Sequence, residues 1–242
     1  MDIVLVPGLW LNGATWNDVA AELTKAGHTP HPVTLPGMES SDADRTAVTL
    51  ADCVGAVTDA IDAADGPVVL AGHSAGAGVA SVALDRRVDR VARIILVGGF
   101  PALAGEPLMA GFSAEGGDLR LPPWSDFDEA DLRDLDEDAL SRFSDRAVPS
   151  PAALALDPVA LHDERRYGVP LTAVCTEFSA ADLQEWIAGG EASVQDFTRF
   201  RDLTYVDLPT GHWPQFTKPR ELAGAILAQP PLTGTAPAPP AS

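Results

Sequence analysis

Cysteine, aromatic and basic residues are all scarce in this chain, and each scarcity excludes something. There are two cysteines in 242 residues, Cys53 and Cys175. Two widely spaced thiols do not make a disulfide framework, and free buried thiols suit a reducing compartment. Basic residues number 16 against 35 acidic ones, a formal net charge of −19. An anionic surface repels phosphate backbones and anionic membranes, so nucleic acid and membranes are set aside as partners. No stretch approaches the 18 apolar residues of a membrane span. The N-terminal MDIVLVPG has an acid at position 2, no basic segment and a short apolar run. It does not read as a signal peptide, and the expected compartment is the cytoplasm. Aromatics make up 6% of the chain, so Ala, Val and Leu carry most of its 46% hydrophobic content. A chain of this length buries a sizeable core without staples. No His, Cys or Asp cluster has ligand spacing, so neither metal nor cofactor is expected.

What is present is an alternation. Short β-branched or apolar runs at 3–6, 29–35, 68–71, 94–97, 171–175 and 204–208 are separated by helix-length segments at 15–26, 50–64, 75–84 and 221–227. Strands alternating with helices predict an α/β fold, a mostly parallel, doubly wound sheet covered on both faces. Pro30 and Pro32 place the second strand near an edge, because proline cannot donate to a ladder. From residue 100 to 167 the alternation stops. That segment, rich in Pro, Asp and short helical patches such as 127–143, is expected to be a mostly helical insertion over one end of the sheet. The core is then 1–99 with 168–229, and the Pro/Ala-rich tail 230–242 is expected to be disordered.

At 68–84 the sequence reads VVLAGHSAGAGVASVAL. A serine hydroxyl is a poor nucleophile until a base takes its proton and donors stabilise the resulting oxyanion. A strand–Gly-x-Ser-x-Gly–helix turn lifts Ser74 clear of the sheet and aims the free N–H groups of the following helix at the oxyanion. Of five histidines, His212 lies in the loop directly after the last strand, at the sheet edge where ligands bind in open α/β folds. It is the expected base. Glu177 is the first carboxylate past the strand 171–175 and is favoured as the acid that orients it; Asp182, five residues on, is the alternative. Ala75 N–H is one expected oxyanion donor. Leu9 N–H, in the loop after the first strand, is favoured as the second, with Trp10 next. Trp10, Phe100, Trp124 and Trp213 are expected to line an apolar substrate pocket.

These stretches resemble the α/β-hydrolase fold family, most closely its small esterases and methylesterases. The resemblance rests on VPGLWLNGATW, GHSAG, TEF and TGHWPQF, in the order serine, acid, histidine. It implies a serine hydrolase that cleaves a carboxylic ester of a small, uncharged, hydrophobic substrate through an acyl-enzyme, with residues 100–167 as the cap. It departs from the family's pattern in two places. Pro7-Gly8 stands where His-Gly is common, and Ser179 stands near the family's usual aspartate. The resemblance also admits two rivals. One is a lyase, although Trp213 and Leu9 stand where such lyases resemble one another in having lysine and threonine. The other is a non-catalytic ligand-binding member. Oligomeric state is not readable.

Overall fold

The computed structural model describes residues 1–228. The tail 230–242 lies outside the described residues. In chain order the elements are β1 (Asp2–Val6), α1 (Asn17–Lys25), β2 (Thr29–Pro32), α2 (Leu50–Asp62), β3 (Val68–His73), α3 (Ala75–Arg86) and β4 (Val91–Val97). A long excursion follows, with β5 (Asp118–Leu119), α4 (Glu137–Arg146), β6 (Ser150–Pro151) and α5 (Ala152–Leu156). The chain then returns through β7 (Leu171–Cys175), α6 (Ala180–Gly189), β8 (Leu203–Asp207), α7 (Pro214–Thr217) and α8 (Pro219–Leu227).

Six strands form one sheet in the order β2-β1-β3-β4-β7-β8. Every neighbouring pair is parallel. The proline-bearing β2 takes an edge, as its missing donors require. The unbroken apolar runs follow from burial on both faces. Ile3, Leu5, Val69, Ala71, Ile95 and Val97 point into one core with Val19 and Leu23 of α1 and Leu222 and Ile226 of α8. Val4, Val6, Leu70, Ile94 and Leu96 point into the other with Val54 and Val57 of α2 and Val79 of α3. Each fully buried Val, Leu or Ile among them contributes about 1.5–3 kcal/mol.

Topology then fixes where a site can form. After β2 the chain crosses back over β1 to build β3 on its other side. The strand order reverses there, and a crevice opens beyond the carboxyl ends of β1 and β3. Val6 is paired with Gly72, so the loop from Pro7 and the turn at Ser74 leave the sheet side by side.

The excursion between β4 and β7 adds no strand to this sheet. It is also less helical than its sequence suggests. Besides α4 and α5 it holds 3-10 turns and a two-stranded antiparallel ribbon of β5 and β6. The expected helix from 127 begins only at Glu137, where the Asp136 side chain caps it by accepting the Ala139 N–H at 2.7 Å. Upstream, the Asp131 carboxylate accepts the Asp128 N–H at 3.2 Å instead. Such local bonds compete with helix, and acids three or four apart repel on a helix face. The far end of the excursion is anchored to α3. Asp85, nearly buried, accepts N–H groups from His162 and Asp163 and pairs with Arg166 at 3.1 Å. Among the described residues no helix is long and apolar enough to cross a membrane.

Candidate active site

Ser74 sits between β3 and α3 with φ 54° and ψ −127°. Side chains rarely adopt that backbone, and holding it costs about 1–3 kcal/mol. The surroundings enforce it. Ser74 N–H donates to the Val97 carbonyl of β4 at 3.0 Å. A Cβ on Gly72 would collide with the backbone of Gly76, and one on Gly76 with the carbonyl of Pro7. The two glycines therefore let the turn close and let α3 press against the end of β1. Ala75 is the first residue of α3, so its N–H has no partner within the helix.

His212 Nε2 lies 2.8 Å from Ser74 Oγ, and His212 Nδ1 lies 2.8 Å from Glu177 Oε1. With Nδ1–H donating to the carboxylate, Nε2 is left to accept from the hydroxyl. Burial alone would raise the Glu177 pKa. The hydrogen bond and charge of His212, with the Thr176 hydroxyl bonded to Glu177 Oε2, outweigh it and hold the carboxyl at about 2. Burial pulls His212 down, but Glu177 and then Asp131 raise it above its ordinary value.

Asp182 is elsewhere engaged. It accepts Ser179 N–H at 2.8 Å and Ser179 Oγ at 2.7 Å in a capping box that starts α6. His73, buried beside the serine, points away from it. Its Nε2–H donates to the His212 carbonyl at 2.6 Å, and burial holds its pKa at about 3, so it is neutral.

The loop after β1 is gripped by the excursion. Trp10, at φ 63°, donates its N–H to Ser150 Oγ at 2.8 Å and accepts the Val148 N–H at 3.0 Å. Of the two donors considered in this loop, Trp10 N–H is thus committed. Leu9 N–H has no acceptor among the described residues.

Three of the four expected pocket aromatics share one cluster. Trp10 packs on Phe112 and Phe127, Trp124 on Phe127 and Trp213, and Trp213 on Phe143. The Trp213 ring stands perpendicular to His212 at 5.1 Å and is 1% exposed, so it acts as a wall behind the imidazole. Phe100 belongs to a second group with Phe178 and Phe197. A cavity of about 600 Å³ lies between α1 and α4, lined by Leu11, Thr15, Arg142, Phe143 and Phe216 but by none of Ser74, Glu177 or His212.

Sequence spacing missed one residue at this site. An Asp131 oxygen, a Glu177 oxygen and a ring nitrogen of His212 all lie within 4.8 Å of one another. Among the described residues this is a trio close enough to share a cation, although the imidazole already bonds Glu177. The acidic run 127–143 reads as a solvated helix face, and no local pattern marks Asp131 as an exception.

A family model described as alpha/beta hydrolase matches residues 3–225. Among curated proteins none matches the chain. Solved structures similar to it include an extracellular alpha/beta-hydrolase from a Paenibacillus species, described as sharing structural and functional homology with tobacco salicylic acid binding protein 2. That pair shows 21% identity, a TM-score of 0.76, and coverage of 94% of this chain and 98% of that one. The methylesterase MES16 from Arabidopsis shows 17% identity, a TM-score of 0.70 and coverage of 94% and 98%. The pyrethroid hydrolase PytH shows 20% identity, a TM-score of 0.65 and coverage of 94% and 96%.

Proposed function

Since this chain belongs to the alpha/beta hydrolase family, we propose that it is a serine hydrolase cleaving a carboxylic ester of a small, uncharged, hydrophobic substrate. The observation that carries the reading is the continuous chain of hydrogen bonds from Ser74 Oγ through His212 to Glu177, 2.8 Å at each step.

Ser74 Oγ attacks the acyl carbonyl as His212 Nε2 takes its proton. Glu177 holds the imidazole in the tautomer that can accept and offsets the charge it gains. The N–H groups of Leu9 and Ala75 receive the developing oxyanion. The imidazolium then returns its proton to the leaving alcohol oxygen. Water, deprotonated by the same imidazole, attacks the acyl-enzyme and releases the acid. No cofactor enters the scheme.

The apolar substrate class is supported by the aromatic cluster around Trp124 and by the −19 charge, which disfavours anions. The buried free thiols of Cys53 and Cys175 fit a cytoplasmic setting. Residues 100–167 serve as the cap.

The test is labelling by a fluorophosphonate with turnover of p-nitrophenyl esters of rising chain length. The wild type is expected to label and to favour uncharged acyl groups, and Ser74→Ala and His212→Ala to lose both signals. An unlabelled wild type, or exclusive turnover of charged or sugar esters, overturns the reading.

A further inference from the structure

We propose that Asp131, carried by the excursion between β4 and β7, is a second acid for His212, a positioning residue whose carboxylate steadies the imidazolium alongside Glu177. This rests on the serine-hydrolase reading of Ser74 and His212.

Asp131 holds the histidine twice. Its main-chain carbonyl accepts the His212 N–H at 2.8 Å. Its carboxylate stands within 4.8 Å of both the imidazole and the Glu177 carboxylate. The neighbouring residues extend the grip. Gly211 N–H donates to the Arg133 carbonyl at 3.1 Å, and Thr210 Oγ1 donates to Asp134 Oδ2 at 3.0 Å. A Cβ on Gly211 would strike the carbonyls of Asp131 and Arg133, so the loop admits only glycine at this closeness. Three consecutive residues, 210 to 212, are thus set by the stretch 131–134.

The charges around the imidazole explain why a second carboxylate helps. The groups facing His212 are Glu177 from the loop after β7, Asp131 from the excursion and neutral His73 from the elbow. Asp131 itself faces His212, Glu177 and Asp128. The only positive charge that forms among them is the imidazolium, present just when Ser74 has given up its proton. Asp131 is half-buried, so its field at His212 is less screened than that of an exposed acid. The Asp128 N–H fixes its orientation at 3.2 Å. The geometry places one negative charge on each of two chain segments against a single transient cation. Neutralising either one leaves the other.

Asp131→Asn removes the charge while keeping the main-chain carbonyl and a side-chain acceptor for Asp128. The experiment compares wild type, D131N, E177Q and the double variant by pH profiles of kcat and kcat/KM on a p-nitrophenyl ester, and by NMR titration of the His212 ring. In D131N the imidazole titration and the acid limb are expected to move to lower pH, with kcat down a few-fold and KM little changed. In the E177Q background the same substitution is expected to cost about tenfold more than in the parent, a coupling that distant sites do not show. An unmoved titration, or the same loss in both backgrounds, overturns the proposal. Failure of the hydrolase reading looks different, with no fluorophosphonate label in the wild type while the titration shift remains.

Discussion

Trp10 and Ser150 are 140 positions apart, yet the N–H of one donates to the hydroxyl of the other at 2.8 Å. The bond pins a left-handed tryptophan in the loop after β1, next to Leu9, whose N–H has no acceptor among the described residues. Ser150→Ala strips the acceptor from a buried N–H, which costs about 1–3 kcal/mol. With Leu9 as the proposed oxyanion donor, the expected result is a lower melting temperature and a kcat reduced about tenfold with KM nearly unchanged, since a displaced donor of that kind acts mainly on the transition state. Thermal unfolding and ester kinetics on the same preparation check both.

Gly76→Ala introduces a Cβ where the Pro7 carbonyl already stands. Backbone cannot swing aside as a side chain can. The expected loss is about 1–3 kcal/mol or more of stability. Fluorophosphonate labelling should fall further than the folded fraction measured by circular dichroism. Equal losses in the two would mean that the elbow tolerates the shift.

In the proposed mechanism catalysis needs a neutral His212, and Glu177 and Asp131 raise its pKa above the ordinary 6.5. The acid limb of kcat/KM should therefore have its midpoint above 6.5. Glu177→Gln removes the larger favourable contribution, so the limb should move down in pH while kcat drops steeply. Initial rates between pH 5 and 9 on both proteins decide it.

Stability should fall on acidification for two reasons. Glu177, at about 2 folded against an ordinary 4.5, contributes stability that is complete above 4.5 and is lost as pH falls towards 2. His73, neutral in the fold down to about 3 but protonated in the unfolded chain below 6.5, draws the equilibrium towards unfolding from 6.5 down to 3. His73→Gln can still donate to the His212 carbonyl and takes no proton. It should unfold less steeply between pH 6.5 and 4.5 than the wild type in urea titrations.

Asp85→Asn leaves the buried Arg166 without its close, buried counter-charge and with only exposed Glu164 at 3.8 Å. Breaking such a pair costs about 3–5 kcal/mol. Because the pair ties residues 162–166 to α3 away from Ser74, kcat per folded molecule should hardly change. Urea unfolding and active-site titration separate the two effects.

The sheet was legible because burial on both faces writes each strand as a continuous apolar run, and Pro30 and Pro32 marked the edge. The elbow was legible because its glycines meet backbone that any side chain would strike. The choice between Glu177 and Asp182 was partly legible as well. Ser179-Ala180-Ala181-Asp182 carries the spacing of a helix capping box, which commits Asp182 to α6. The contacts from the excursion were not legible. Ser150 to Trp10 and Asp131 to His212 join segments 140 and 81 positions apart, and no periodicity encodes a bond of that span. The acid density of 127–143 also suggested one helix, where the chain forms turns up to 136 and helix only from Glu137.

The order of the pieces along the chain has a biosynthetic consequence. Ser74 and the N–H groups of Leu9 and Ala75 lie well upstream of the imidazole, which arrives only after β8, the opposite edge of the sheet, has been made. On the proposed reading, a nascent chain that has completed the bend around Ser74 still carries an inert alcohol. Reactivity then switches on in one event, once the segment after β8 has been made and the insertion is there to receive His212.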